Sequence, residues 1–265
     1  MLTKHLVEML KIASTKIPNF VLKKLENALE IEDNKLSKII LKALIENTKI
    51  AEKEGLPICQ DTGIPVFFVE SKTTDIYYDI LEAVDIATEE GYLRPNSVSI
   101  EEERVVGNFP EVYFFPTKEK RIKISLLLKG GGTSYVSKLY SLPPMLGKKL
   151  LLDKIKEALM EAGSKPCPPV FIGVGIGGTE AKALLNAELA LLRIPERNPL
   201  TSYLHELNKV NIGPMGIGGR ITVLDINVVG KYRHPATFLV GISFNCWALR
   251  RAFLIYSEEG VKIWN

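Results

Sequence analysis

The sequence predicts a mixed α and β protein of the α+β class, with a helical N-terminal region followed by strands and helices packed as one unit. Apolar residues recur at helical spacing through about the first 55 residues, and apolar runs of strand length alternate with further helical segments after them. With 265 residues, of which 46% are hydrophobic, the chain can bury a substantial core. No internal repeat or low-complexity linker interrupts the sequence, so we expect one domain over residues 1–265.

The helical entry region covers about residues 1–55. In its last helix the apolar side chains share one face: Leu36, Ile40, Ala43 and Leu44. Asp33 or Asn34 is a candidate N-cap for this helix, and Gly55 lies where the helical run ends. A further amphipathic helix is predicted over residues 75–91.

Arg94 follows that helix in a turn-like segment, so it is expected on a non-helical connection. Beyond it, Ile122 to Leu128 alternates apolar with polar or smaller residues, as in a strand with one buried face, and Val112 to Phe115 is its expected partner. The remaining predicted elements are a helix from about 144 to 160, a strand from 169 to 174, helices near 180–193 and 200–210, and strands near 221–229 and 238–243.

Charge and cysteine content exclude several classes of protein. The 34 basic and 31 acidic residues give a formal charge of +3 without basic clusters, so nucleic acid is not an expected partner. No stretch approaches the roughly 20 apolar residues that cross a bilayer, and the N-terminus interleaves charges with apolar residues, so we expect no membrane contact and a cytoplasmic protein. An odd number of cysteines, three, argues against a closed disulfide framework and fits a reducing compartment.

Each cysteine lies in a segment that interrupts the predicted elements. Cys59 follows a Pro-Ile pair, Cys167 lies between two prolines, and Cys246 precedes a tryptophan. At such positions the backbone can approach a cofactor without breaking the hydrogen bonds of a helix or strand. The long separations rule out the short C-x-x-C pairs of zinc ribbons and ferredoxins. Two interpretations stay open on the residues alone: a shared metal, or three buried apolar side chains.

A glycine-rich run leaves a nucleotide-binding alternative. Residues 173–178 match G-x-G-x-x-G between a predicted strand and a predicted helix, which is the context that a dinucleotide fingerprint requires. Against this, a second helix follows the first, and no acidic residue clearly ends a second strand about 20 residues further on. A nicotinamide or flavin oxidoreductase is therefore the alternative from another functional class.

Histidine offers one further candidate. His5 and His205 lie in helical stretches, whereas His234 lies in a loop shortly before Cys246. A loop histidine is either a solvated side chain or, because its pKa lies near neutrality, a substrate ligand or proton carrier. A structural zinc site made of the three cysteines and His234 is a third hypothesis.

Several short motifs occur in order along the chain: Pro57-Ile58-Cys59-Gln60-Asp61-Thr62-Gly63, Gly107-Asn108-Phe109-Pro110, Lys129-Gly130-Gly131-Gly132-Thr133-Ser134, Cys167-Pro168-Pro169, the run 173–179, Gly213-Pro214-Met215-Gly216-Ile217-Gly218-Gly219 and Cys246-Trp247-Ala248-Leu249-Arg250-Arg251. Together they resemble class I fumarases and, more narrowly, the α subunit of the two-subunit fumarase and L-tartrate dehydratase group. The resemblance runs from about residue 5 to 255.

The resemblance implies a [4Fe–4S] cluster held by Cys59, Cys167 and Cys246. Three thiolates for four irons leave one iron without a protein sulfur, and a metal needs an open position to bind substrate and act as a Lewis acid. It also implies that Gln60 and Asp61 face the substrate.

Asp61 is then a candidate acid or base in proton transfer. Alternatively, it is the side chain of an Asx turn before Gly63. His234 matches the family's substrate-facing histidine, which makes it a second catalytic candidate.

Three further residues would bind the substrate. Arg94 matches an arginine that grips a substrate carboxylate, a task that suits a bidentate guanidinium. Gly131 and Gly132 would offer backbone N–H groups to the same anion.

The activity implied is reversible hydration of a small dicarboxylate, with fumarate to L-malate first and tartrate to oxaloacetate as the alternative. These residues supply only part of a dicarboxylate site, and the resembling single-chain enzymes continue into a second domain. We therefore expect a separate β subunit that completes the active site, in a hetero-oligomer with two copies of each chain.

Overall fold

The computed structural model describes residues 2–265. Its helices are α1 (Leu2–Thr15), α2 (Asn19–Ile31), α3 (Lys35–Glu54), α4 (Ile76–Glu89), α5 (Gly131–Tyr135), α6 (Gly147–Ala162), α7 (Glu180–Arg193) and α8 (Leu204–Asn208), with short 3-10 helices at Pro199–Tyr203 and Pro214–Gly216. Its strands are β1 (Ile64–Ser71), β2 (Ser97–Val98), β3 (Val105–Gly107), β4 (Glu111–Pro116), β5 (Ile122–Lys129), β6 (Lys138–Leu142), β7 (Val170–Gly177), β8 (Val223–Val229), β9 (Phe238–Asn245), β10 (Arg251–Ser257) and β11 (Gly260–Trp264).

These elements form two compact units, each assembled from separate stretches of chain. Unit 1 contains the described residues up to Pro18 together with Glu46–Gly131 and Arg250–Asn265, and unit 2 contains Asn19–Ile45 and Gly132–Leu249. The mixture of helices and strands confirms the α+β class. The single domain over residues 1–265 stays a prediction.

Unit 1 is built on a five-stranded sheet in the order β11-β10-β5-β1-β4. Strand β1 pairs parallel with β4, and the other neighbours in this sheet are antiparallel. Residues 65–69 of β1 are buried without interruption, which is typical of a strand that is covered on both faces. Strands β2 and β3 form a separate two-stranded hairpin.

Helices α1 and α4 form the core of unit 1 with the sheet. Their apolar residues recur three and four positions apart, so each helix presents one apolar face. The buried cluster joins residues from α1, α4 and strands β1, β5 and β10: Leu6, Met9, Leu10, Ile80, Ala83, Val84, Phe67, Val69, Leu126, Leu128 and Leu254. The N-terminal helix and a C-terminal strand therefore share one core.

Unit 2 is built on a four-stranded sheet in the order β6-β9-β7-β8. Strands β7 and β8 are parallel, and β9 runs antiparallel to both β6 and β7. Helix α7 packs directly against β7 because three glycines of the strand lack side chains. A Cβ on Gly173 would lie 2.0 Å from the carbonyl oxygen of Ala187, and one on Gly175 would lie 2.0 Å from that of Ala183. The glycine-rich run is therefore explained by close helix–strand packing.

The structure confirms most of the predicted elements and corrects one pairing. The helices predicted over 75–91, 144–160 and 180–193 are α4, α6 and α7, and Asn34 caps α3 by accepting hydrogen bonds from the N–H groups of Leu36 and Ser37. The expected pairing of residues 112–115 with 122–128 is wrong, because β1 lies between β4 and β5. The helix expected near 200–210 is a 3-10 turn followed by α8.

Across residues 2–265, none of the helices is both long enough and apolar enough to span a membrane.

Candidate active site

Two adjacent strands bring the candidate residues of unit 1 to one edge of its sheet. Strand β5 runs antiparallel to β1, with Lys129 opposite Ile64, so the end of β5 lies beside the start of β1. The loop that precedes β1 carries Asp61, and Gly131 follows β5. The two residues therefore meet although they are far apart in sequence.

Asp61 is held by two backbone N–H groups. Its Oδ1 accepts a hydrogen bond from Gly63 at 2.9 Å, which is the Asx turn expected of this residue in its structural role. Its Oδ2 accepts a hydrogen bond from Gly131 at 2.8 Å, across to the end of β5. The carboxylate is thus fixed at both oxygens while the residue stays partly exposed. The N–H group of Gly131, predicted to bind a substrate anion, donates to Asp61 in this structure.

Arg94 lies on an irregular connection, as predicted, and its backbone is anchored on both sides. Its N–H donates to the Thr62 hydroxyl at 2.8 Å, and its carbonyl oxygen accepts from the Asn108 side-chain amide at 2.9 Å. Thr62 and Asn108 are both buried. The guanidinium itself is exposed and donates to the carbonyl oxygen of Gln60 at 3.4 Å. A rigid backbone therefore presents a solvent-facing cation.

Gln60, Asp61 and Arg94 share one cavity of about 660 Å³. The remaining lining residues are Pro95, Asn96 and Val105. The cavity combines a cation with a carboxylate and an amide, which can bind an anion and exchange a proton with it. Its wall includes the apolar hairpin strand β3.

Cys59 precedes Gln60 and Asp61 in the same loop and is exposed, as a free thiol. The neighbouring Ile58 is buried and fixed by two hydrogen bonds. Its N–H donates to the Ser14 carbonyl at 2.9 Å, and its carbonyl oxygen accepts from the Asn47 side chain at 2.9 Å. The protein thus anchors the loop next to Cys59 and leaves the thiol accessible.

In unit 2 the sheet places Cys167 and Cys246 at one edge. Asn245, at the end of β9, pairs with Phe171, near the start of β7. Cys246 follows the first of these strands and Cys167 precedes the second. Cys167 is exposed and Cys246 is partly exposed, so the reading of the cysteines as three buried apolar side chains is wrong.

The backbone of the Cys167 segment is supported by the glycine-rich loop at 213–219. Cys167 adopts a φ of +54°, and its neighbour Pro168 accepts a hydrogen bond from the Met215 N–H at 2.7 Å. The loop is anchored in turn by buried Glu32, which accepts from the Arg220 N–H at 2.8 Å. Glu32, in the α2–α3 connection, thus holds the glycine-rich loop, and the loop holds the backbone next to Cys167.

A second anchor of the same loop is an ion pair on its surface. The Arg220 guanidinium donates to Asp33 at 2.6 Å, and this hydrogen bond holds the pKa of the Asp33 carboxyl below its usual value.

Gly132, the other glycine predicted to bind an anion, lies elsewhere in unit 2. A Cβ there would be 2.4 Å from the Lys165 carbonyl oxygen, so this position requires glycine for packing.

His234 lies at the other edge of the same sheet. The β8–β9 loop that carries it joins the end of β8 to the start of β9, whereas Cys246 follows the end of β9. Its Nδ1 accepts a hydrogen bond from Ala236 at 3.1 Å within an exposed turn. Within unit 2 the length of β9 separates His234 from Cys246, which speaks against a zinc site that combines them. Its catalytic role stays a prediction.

The donor set fits an iron–sulfur cluster in its chemistry. Three cysteine thiols lie on connections between elements, one in unit 1 and two in unit 2, and thiolates are the ligands that such clusters use. Among residues 2–265, no three side chains of His, Cys, Asp and Glu form a group that could hold a metal ion. The chain thus supplies ligands of the type that a cluster uses, although the described residues do not form a metal-holding group.

Sequence reasoning missed the residues that support the site. Thr62 and Asn108 fix the backbone of Arg94, and Arg250 lies buried next to the Asp61 loop. Each belongs to a motif quoted above, but a motif does not show which partners its residues meet in the fold.

Known proteins are similar to this chain over most of its length. The family described as Fumarate hydratase (Fumerase) matches residues 3–254. A protein of Methanocaldococcus jannaschii, provisionally named L(+)-tartrate dehydratase subunit alpha, is 39% identical over 93% of this chain and 94% of its own length. The L(+)-tartrate dehydratase subunit alpha of Escherichia coli K12 is 30% identical over 97% of this chain and 91% of its own length.

A third relative is longer. A protein of Geobacillus stearothermophilus, provisionally named fumarate hydratase class I, is 34% identical over 94% of this chain, and the match spans 54% of that protein.

Proposed function

Because this chain belongs to the fumarate hydratase (Fumerase) family, we propose that it is the α subunit of an iron–sulfur hydro-lyase that converts fumarate and L-malate reversibly. The observation that carries the proposal is the cavity of unit 1, where Asp61 and Arg94 lie together beside the Cys59 loop. Family membership gives the class of reaction, and the cavity supplies a cation and a carboxylate for a dicarboxylate substrate.

Cys59, Cys167 and Cys246 would hold the [4Fe–4S] cluster. When bound, the cluster would supply Lewis acidity that polarises the hydroxyl group of the substrate and makes hydroxide a better leaving group. The residues of the chain would do the rest. Arg94 would bind one carboxylate through two parallel hydrogen bonds, and Gln60 would orient the substrate beside it.

Asp61 would take the proton from the carbon next to the hydroxyl-bearing carbon during dehydration and return it during hydration. The two backbone N–H groups that bind Asp61 hold its oxygens in fixed directions. A positioned base needs no reorientation in the transition state, which favours rapid transfer. His234 is proposed as a further substrate ligand.

A second candidate function is L-tartrate dehydration. It is favoured by the names of two relatives that match nearly their whole length, both given as the α subunit of an L(+)-tartrate dehydratase. Tartrate differs from malate by one hydroxyl group. Rates measured with L-malate and with tartrate on the same preparation decide between them: a clear preference for tartrate would overturn the assignment to fumarate.

The partner is proposed as a separate β subunit, with the complex in the cytoplasm. Two relatives are named as α subunits, and the relative from Geobacillus stearothermophilus is about twice as long as the region it shares with this chain. Nucleic acid and membrane are not proposed as partners.

Anaerobic purification with and without cysteine substitutions tests the cofactor. The parent chain should contain about four irons and four sulfides and should be brown. Cys59→Ala, Cys167→Ala and Cys246→Ala should each lose the iron, because two thiolates rarely retain a cubane. A colourless zinc protein, or a full cluster in any one of the variants, would contradict the assignment. Cofactor-dependent reduction without metal would support the oxidoreductase instead.

A further inference from the structure

Arg250 is a buried cation of unit 1 that none of the roles above uses. The residue is 2% exposed, and its Nε and Nη1 atoms have no hydrogen-bond partner among residues 2–265. A buried guanidinium with unpaired donors opposes folding, because the hydration it loses is not replaced. Such a group calls for an explanation other than stability.

The sheet brings Arg250 to the Asp61 loop. Arg250 immediately precedes β10, and its carbonyl oxygen accepts a hydrogen bond from the Leu128 N–H at 2.9 Å. Strand β10 runs antiparallel to β5, so its start lies at the edge where β5 ends and β1 begins. Arg250 therefore reaches the same edge as Asp61 and Gly131.

Gly130 lies where the two charged side chains face each other. A Cβ on Gly130 would lie 3.0 Å from Oδ2 of Asp61 and 3.7 Å from Nη2 of Arg250. The carboxylate and the guanidinium thus flank one side of this residue, and the missing side chain leaves the space between them open.

Arg250 is not among the residues that line the cavity of Gln60, Asp61 and Arg94. A substrate in that cavity meets the exposed Arg94 and the carboxylate of Asp61. Arg250 is buried and lies outside the lining of that cavity, so its influence on a substrate would pass through Asp61.

We propose that Arg250 is a positioning residue for Asp61. Its buried guanidinium, facing the carboxylate past Gly130, holds the two oxygens in the directions in which the N–H groups of Gly63 and Gly131 bind them. Opposite charges attract more strongly in a buried setting than in water, so one cation there suffices to bias the orientation of a side chain. The kinetic consequence rests on the proposed function, whereas the orientation of Asp61 is a property of this chain alone.

The first test therefore uses the full chain without iron or substrate. In Arg250→Met, the amide proton signals of Gly63 and Gly131 should move upfield in the NMR spectrum, and these protons should exchange faster with solvent. The reason is that the Asp61 carboxylate becomes more mobile and its two hydrogen bonds weaken. Arg251→Met is the matched control, since it removes a neighbouring buried arginine whose guanidinium lies 5.2 Å from the Phe253 ring. Its spectrum should leave both amides in place. Unchanged amides in Arg250→Met would overturn the proposal.

The second test measures turnover of the enzyme assembled with its partner. Arg250→Met should lower kcat by roughly 10- to 100-fold, the usual scale for a residue that orients a reactive group, and should leave KM unchanged. The double variant Asp61→Asn/Arg250→Met should be no slower than Asp61→Asn alone. Multiplied losses, or a raised KM with unchanged kcat, would show that Arg250 acts on the substrate and would overturn the proposal.

The catalytic role of Asp61 and its positioning by Arg250 can fail independently. If Asp61→Asn does not reduce kcat, the proposed catalytic role of Asp61 fails, while the amide signals still decide whether Arg250 positions it. Replacing an unpaired buried arginine by methionine often leaves stability unchanged or raises it, so Tm of Arg250→Met should not fall. If that variant does not fold, Arg250→Lys keeps the charge and should shift the same two amides by less. Unshifted amides in the folded lysine variant would then overturn the proposal.

Discussion

Asp61 accepts a hydrogen bond that closes a turn, and it also occupies a position suited to catalysis. Its Oδ1 closes the Asx turn with Gly63, and its Oδ2 is bound across the sheet edge by Gly131. The two interpretations of this residue, turn former or acid/base, are therefore compatible. The turn fixes the carboxylate where a substrate in the cavity can reach it.

Asp61→Asn should lower kcat by ~10²-fold or more, on the usual scale for general acid–base catalysis. Asparagine keeps the size of the side chain but removes the ionisable group. Its amide oxygen can still accept the Asx-turn bond from Gly63, whereas its NH2 group would face the Gly131 N–H, so Tm should fall modestly while the variant still folds. The measurement is kcat with L-malate in the assembled enzyme. Asp85→Asn, on the exposed face of α4, is the matched control. Equal kcat in both variants would leave Asp61 a turn residue.

Arg94→Lys should raise KM by roughly 10-fold or more, because a charged hydrogen bond contributes about 1.5–3 kcal/mol and an ammonium cannot make the planar two-point contact. The backbone of Arg94 is fixed by Thr62 and Asn108, so the fold should tolerate the change. Arg104→Lys, in the exposed ion pair with Glu102, controls for loss of a guanidinium. An unchanged KM would remove Arg94 from the binding site.

Sequence reasoning predicts the exposed residues of the candidate site but misses the buried residues that hold them in place. Asp61 and Arg94 are charged residues in segments that are predicted as neither helix nor strand. Their residue type and position therefore indicate a chemical role. Thr62 and Asn108 are ordinary polar residues until the fold brings them to Arg94. No local pattern indicates a contact over such sequence distances.

At the scale of elements, the glycine-rich run illustrates how packing can imitate a binding motif. The carbonyl oxygens of Ala183 and Ala187 in α7 approach the glycines of β7 so closely that no side chain fits between them. A dinucleotide fingerprint also needs glycine for close helix–strand packing. The glycine motif therefore indicates that the helix packs closely on the strand, and it does not indicate a bound dinucleotide.

Gly175→Ala should destabilise the protein by about 3 kcal/mol or more, because the added methyl would lie 2.0 Å from the Ala183 carbonyl oxygen and α7 would have to move away. This loss corresponds to a fall in Tm of roughly 6 °C or more. Gly178→Ala is the matched control, since a Cβ there has no described atom within 4 Å. Thermal unfolding followed by circular dichroism measures both. Equal Tm values would refute the packing explanation.

The strands that sequence reasoning missed explain the error in pairing. Strand β1 is buried along residues 65–69 and shows no alternation of apolar and polar side chains, so a pattern of period two does not detect it. Without β1, the sequence predicts that its two neighbours β4 and β5 pair with each other. In the sheet β1 pairs with both.

At the scale of the whole molecule, each unit joins stretches that are distant in sequence. Helix α1 shares a buried cluster with β10, from the opposite end of the chain. A segment-by-segment prediction gives the type of each element and cannot give this membership, because burial of one apolar face can be satisfied by several partners. The same limit explains why the residues alone leave a shared metal as one of two interpretations of the three cysteines, and why only the family resemblance favours it.

The purified chain, even with an intact cluster, should show little or no hydratase activity, and adding the β subunit should restore it without further iron. A dicarboxylate presents two anionic groups, whereas Arg94 is the one cationic side chain among the described residues that line the cavity of unit 1. The second carboxylate therefore needs a partner that this cavity does not supply, and leaving it unpaired would weaken binding.

The relatives agree with this division, since two are named as α subunits and the relative from Geobacillus stearothermophilus extends well beyond the shared region. Activity is measured anaerobically with L-malate at a fixed concentration of the α chain, while the β subunit is titrated in. Turnover should rise until the two chains are equimolar, with the iron content of the α chain constant throughout. The β subunit alone is the control and should be inactive. Full turnover by the α chain at a rate independent of added β subunit would show that its own residues complete the site.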